Sequence, residues 1–145
     1  MSEEAPDTAG VVVVKGSDVK AETGYEATMP HGFGIGTQTG SPRLNVHTAY
    51  LEPGQATRAH FHLHSDGACY VLEGQITLVT YNENYEKLEQ KVAAGDFIYI
   101  PRGVIHKFIN TSTTERFANI GIYNDGVYAD DGTPLGKFYV EPPLD

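Results

Sequence analysis

From residue 43 to residue 123 the chain is a succession of short β-rich runs, each closed by a turn signal, with no stretch of helical period long enough to form a helix. "RLNVHTAYL" (43–51) stops at Glu52-Pro53-Gly54, "AHFHLH" (59–64) alternates, and "ACYVL" (68–72) closes on Glu73-Gly74. "QITLVTY" (75–81) ends at Asn82-Glu83-Asn84, and "KLEQKVAAGD" returns as a weaker, edge-like strand. "FIYI" (97–100) stops at Pro101-Arg102-Gly103, "VIHKFIN" (104–110) precedes the polar "TSTTE", and "RFANIGIY" (116–123) ends at Asn124-Asp125-Gly126. Strands of this length and spacing predict an all-β sandwich or barrel. "VVVV" (11–14) is a further strand candidate that opens the ordered part.

With 145 residues and neither an internal repeat nor a linker, the chain reads as one domain over 11–145. Residues 1–10, acidic and rich in small side chains, read as a flexible arm without the basic and apolar blocks of a secretory signal. The Pro-punctuated "GTPLGKFYVEPPLD" reads as a tail that packs across the domain or a partner subunit. No apolar run approaches the roughly 20 residues of a membrane helix. The net charge of -9 and four scattered arginines leave no basic stripe for a nucleic acid. The one cysteine, Cys69, excludes an intrachain disulfide, which fits a cytoplasmic protein, and it reads as a small buried hydrophobe.

Three of the six histidines fall on alternate positions: His60, His62 and His64. Residues i and i+2 of a strand share a face, and two neutral imidazoles on one face can converge on an ion at metal–nitrogen distances of about 2 Å. A second block, "GDFIYIPRGVIHKFIN", reads Gly95, five residues, Pro101, one residue, Gly103, two residues, His106, three residues, Asn110. The first block reads Gly54, five residues, His60, Phe61, His62, four residues, Gly67, six residues, Gly74. In both blocks the chain resembles the cupin superfamily. Every fixed position of the family's two motifs matches except one: Gly67 stands where the first motif has a glutamate.

The resemblance implies an antiparallel jelly-roll barrel of six or more strands, with a divalent metal inside on His60, His62 and His106, which then carry the catalysis. His64 is the expected fourth ligand. His47, on the preceding strand, is its rival, Asp66 a weaker candidate, and His31 reads as a loop residue. An inward His106 places Phe108 and Asn110 on its own face. Three or four neutral imidazoles without a carboxylate leave a divalent site near +2 instead of +1, a stronger Lewis acid. All-nitrogen donors suit zinc, iron, nickel or copper. Among strand aromatics such as Tyr50, Phe61, Tyr70, Phe97, Tyr99, Phe108, Phe117 and Tyr123, half are expected inward, lining a cavity for one small apolar ligand. Few charged groups are placed to act as acid or base: Asp66 near the mouth, Glu52 and Asp96 at turns.

Within the superfamily the chain most resembles the small zinc polyketide cyclases of the resistomycin type. That implies regioselective aldol cyclisation of a poly-β-keto substrate in a hydrophobic cavity, with zinc as the metal and iron or nickel as alternatives. A three-histidine dioxygenase cleaving a β-diketone or flavonol is the second reading, and a non-catalytic small-ligand binder the third. Small cupins also imply a homodimer, with "VVVV" as an exchanged edge strand.

Overall fold

The computed structural model describes residues 10–124, 134, 136–141 and 144. Among them the strands are β1 (Ala21–Glu22), β2 (His31–Ile35), β3 (Leu44–Leu51), β4 (His60–His62), β5 (Gly67–Glu73), β6 (Gln75–Tyr81), β7 (Lys87–Ala93), β8 (Phe97–Ile100), β9 (Ile105–Ile109), β10 (Phe117–Asn124) and β11 (Lys137–Tyr139). They form a six-stranded sheet in the order β1-β2-β3-β10-β5-β8 and a five-stranded sheet in the order β11-β4-β9-β6-β7. Neighbouring strands in both sheets run antiparallel. This is the expected all-β jelly roll. The arm expected over residues 1–10 lies outside the described residues, apart from Gly10.

The strands form where side chains alternate between a dry and a wet face. On β3, Asn45, His47, Ala49 and Leu51 are buried while their neighbours reach solvent, the two-residue period of a sheet with one face on the core. Leu51, Val71 and Phe117 from the larger sheet meet Ile76, Leu78 and Phe108 from the smaller one in a single apolar cluster. Along β3 and β10 the interior changes character. Leu51 and Phe117 pair at the apolar end, and the pairs His47–Gly121 and Asn45–Tyr123 lie towards the other. The barrel is therefore filled with hydrocarbon over part of its length and with histidine and tyrosine over the rest.

The motif positions are mostly architectural. Gly54, Gly74, Gly95 and Gly103 all have positive φ, as tight turns require. The Gly103 amide donates to the His62 carbonyl at 2.8 Å, which ties the β8–β9 turn to β4. The buried Asn110 side chain donates to the Leu51 and Glu115 carbonyls and accepts from the Ser112 amide. The tail packs on its own domain: β11 pairs with β4, and Val140 and Leu144 cover Val79 and Tyr81.

Four expectations are corrected. Residues 11–14 form no strand, and Val11, Val12 and Val13 are exposed, because β propensity alone makes no ladder without a partner edge. His31 is not in a loop but on β2, whose glycines at 32 and 34 mask it in the sequence. A Cβ at Gly32 would lie 2.7 Å from Thr48 Oγ1, so glycine is there to let β3 approach closely. The run of alternating histidines ends one step early, since β4 stops at His62. Of the eight strand aromatics, Phe108, Phe117 and Tyr123 are buried, whereas Phe97 is 82% and Tyr99 66% exposed.

Candidate metal centre

His60 and His62 project inward from β4, and His106 does so from β9, where it pairs directly with His60. All three are buried, and their ring nitrogens lie within 4.8 Å of one another. Nitrogens bound to one ion at about 2 Å sit roughly 3–4 Å apart, so a small side-chain adjustment reaches that geometry. His60 Nδ1 lies 2.7 Å from the Arg58 carbonyl and His106 Nδ1 lies 2.9 Å from the Val104 carbonyl. A carbonyl only accepts, so in each neutral ring Nδ1 carries the proton and Nε2 keeps its lone pair. Backbone contacts of this kind orient a histidine for metal binding.

His62 differs. It is 3% exposed, and neither ring nitrogen has a hydrogen-bond partner. A buried imidazole without partners is costly unless something binds it. Burial, the neighbouring His106 and the Lys137 charge push its pKa down to about 3. Burial likewise holds His106 at about 4 and His60 well below its ordinary value. Three buried, neutral imidazoles whose ligand atoms lie within 4.8 Å of one another fit a divalent cation.

The expected fourth ligand, His64, does not join them. It lies beyond the end of β4 and is exposed, beside Gly136. His47 is buried on β3, where its ring stacks on Tyr123 and lies 4.8 Å from the ring of His31. Asp66 is engaged elsewhere: it accepts from the Arg102 amide at 3.0 Å, and that bond holds its carboxyl below the usual range. Asp96 accepts from the Ala93 amide within its turn, and Glu52 is exposed. Cys69 is buried, and burial pushes its thiol up to about 12, so it is unreactive.

A cavity of about 30 Å³ adjoins the three histidines, and Tyr25, Glu26, His31, Tyr123 and Lys137 share its wall. That volume holds about one water, not the ligand-sized pocket expected from the aromatic content. The larger groove, about 670 Å³ along Tyr81–Tyr85 and Arg102–Ile105, is open to solvent and includes none of the histidines.

Two wall residues had no sequence signal. Lys137 Nζ donates to Glu26 Oε2 at 2.8 Å and to the Tyr25 carbonyl at 2.7 Å, and lies 3.2 Å from Tyr139 Oη. Tyr139 in turn donates to Glu26. Both charged side chains are almost fully buried. Three acceptors match the three N–H bonds of the ammonium, so Lys137 is held as a fixed charge beside the histidines. Its strand places it there, since β11 sets Lys137 opposite His62 and Tyr139 opposite His60.

A cupin domain model matches residues 47–118, the segment that carries all three clustered histidines. The chain belongs to the cupin superfamily. Among solved structures it is similar to the polyketide cyclase RemF from Streptomyces resistomycificus, with TM-score 0.67 and 25% identity over 84% of this chain and 89% of that one. It is also similar to a single-residue variant of oxalate decarboxylase from Bacillus subtilis, at TM-score 0.68 and 18% identity over 86% of this chain, but spans only 31% of that protein. A third likeness is to KdgF from Halomonas sp., at TM-score 0.59 and 17% identity over 79% of this chain and 89% of that one. No curated protein sequence matches significantly. Among the described residues of this cupin, no helix is long and apolar enough to cross a membrane.

Proposed function

We propose that this cupin is a metal-dependent cyclase that promotes aldol closure of a poly-β-keto substrate, with His60, His62 and His106 as its metal ligands. The reading is carried by the three-histidine cluster, which has no carboxylate among its donor atoms. The likeness to RemF, which spans most of both chains, supports it. Zinc is the proposed ion, with iron or nickel as alternatives. Such an ion supplies Lewis acidity that polarises a ketone and favours its enolate. The protein's part is to keep the imidazoles neutral by burial, to hold the Lys137–Glu26 pair at the cavity wall, and to exclude water with Met29, Phe108 and Tyr123. We further propose a homodimer working in the cytoplasm.

The all-histidine donor set fits one alternative equally, a three-histidine dioxygenase cleaving a β-diketone or flavonol. One experiment separates the two. The purified protein is assayed for metal content, for cyclised product from a poly-β-ketone and for oxygen uptake with a simple diketone. The cyclase reading expects about one zinc per chain, a cyclised product and no oxygen consumption. Oxygen uptake that depends on iron or nickel would replace it with the dioxygenase.

A further inference from the structure

Four glycines of the two motifs serve a positive backbone angle, but Gly67 does not. It is buried at the start of β5, directly opposite Tyr123 of β10. A Cβ at position 67 would lie 2.9 Å from Tyr123 Cζ and nearer still to Cε1, closer than real Cβ atoms approach. Tyr123 is 7% exposed and packed between His47 and His62, so its ring cannot swing clear into solvent. The adjacent row repeats the arrangement: a Cβ at Gly121 would lie 2.7 Å from Cε1 of His47, the residue it pairs with on β3. Each ring leans across the strand beside it, and each glycine makes the room.

The ring at Gly67 is part of the metal cavity wall. A side chain at position 67 would therefore enter the space between β5 and the histidines, where Tyr123 now lies. The same ring sits 4.8 Å from that of His62, which Tyr25 stacks at 6.5 Å and 9°. His62 is the member of the trio that no backbone carbonyl orients.

Resting on the metal reading above, we propose that the Gly67–Tyr123 pair determines the donor set of this site. The Tyr123 ring fills the space through which a carboxylate at 67 would reach the ion, and it packs His62 into its ligating orientation. Tyr123 is thus a positioning residue. Glycine at 67 and tyrosine at 123 are one substitution in two places, and neither position can change alone without cost.

Two measurements on the full chain test this. The first is a melting cycle. Gly67→Ala should lower the melting temperature by about 5–10 °C, as overpacking does, and should cost almost nothing in a Tyr123→Ala background. Equal costs in both backgrounds would overturn the steric claim. The second uses cobalt(II) as probe, followed by chelator competition and by its visible absorption. Gly67→Glu combined with Tyr123→Ala should bind at least about tenfold more tightly than Tyr123→Ala alone, with a changed spectrum. Tyr123→Phe should keep the spectrum of the unsubstituted protein, because the ring is retained. If the double variant gains neither affinity nor a new spectrum, the donor-set proposal fails while the metal reading stands. If the unsubstituted chain binds no cobalt, the metal reading fails and takes the proposal with it.

Discussion

At the scale of single residues, His60 and His106 are held by carbonyls two positions upstream, and His62 is held by rings. Removing either kind of ligand should be felt first in metal binding. His106→Ala is expected to weaken zinc binding by more than about 100-fold, read by chelator competition, with little change in the far-ultraviolet dichroism. Buried histidines also set the pH response of the metal-free chain. His31, His62 and His106 have folded pKa values pushed down to about 4, 3 and 4, mainly by burial. Above pH 6.5 they are neutral whether the chain is folded or not, and they contribute no slope. Below 6.5 the unfolded chain takes up protons that the folded chain refuses, so stability falls with falling pH. Each histidine contributes up to ~1.4 kcal/mol per pH unit until its folded pKa is reached. Urea midpoints of the metal-free protein between about pH 7 and about pH 4 should show this decline, and a flat profile would contradict the burial of His31, His62 and His106.

At the scale of elements, the Glu26–Lys137 pair joins the segment before β2 to β11, and each partner is buried. Glu26→Ala leaves an ammonium in the interior without its counter-charge and should cost about 3–5 kcal/mol. Glu26→Gln with Lys137→Met should recover much of that loss in chemical denaturation. The strands β3, β5, β6, β7, β8, β9 and β10 were legible in the sequence because alternation and turn residues coincide there. His60, His62 and His106 were legible because motif spacing is a property of local turns. β2 was not, because glycines that admit β3 also erase the strand signal. Glu26 and Lys137 were not, because their meeting spans 111 residues and no local pattern encodes it. The valine run misled for the opposite reason: its propensity is strong, yet it forms no strand among the described residues. The exclusion at Gly67 was visible as a missing glutamate, but its cause, a ring from another strand, was not.

At the scale of the whole molecule, the outer face of β5, β8 and β10 carries Tyr70, Leu72, Phe97, Tyr99 and Ile122, all exposed. Exposed apolar side chains gathered on one sheet face support the proposed homodimer. Light scattering should report twice the chain mass, and Phe97→Glu with Tyr99→Lys should return it to one chain. Metal should act on the molecule as a whole. Zinc at about a hundredfold excess over its dissociation constant should add about 2.7 kcal/mol to stability and raise the melting temperature, with a chelator reversing the shift. The pairing of β11 with β4 also bears on when the site can come into being. β11, residues 137–139, lies beside His60 and His62 at the edge of their sheet and brings Lys137 to the cavity wall. During synthesis the three histidines emerge well before that strand does. Were an ion taken up before the tail strand docks, it would exchange freely until β11 pairs with β4 and Lys137 takes its place beside His62.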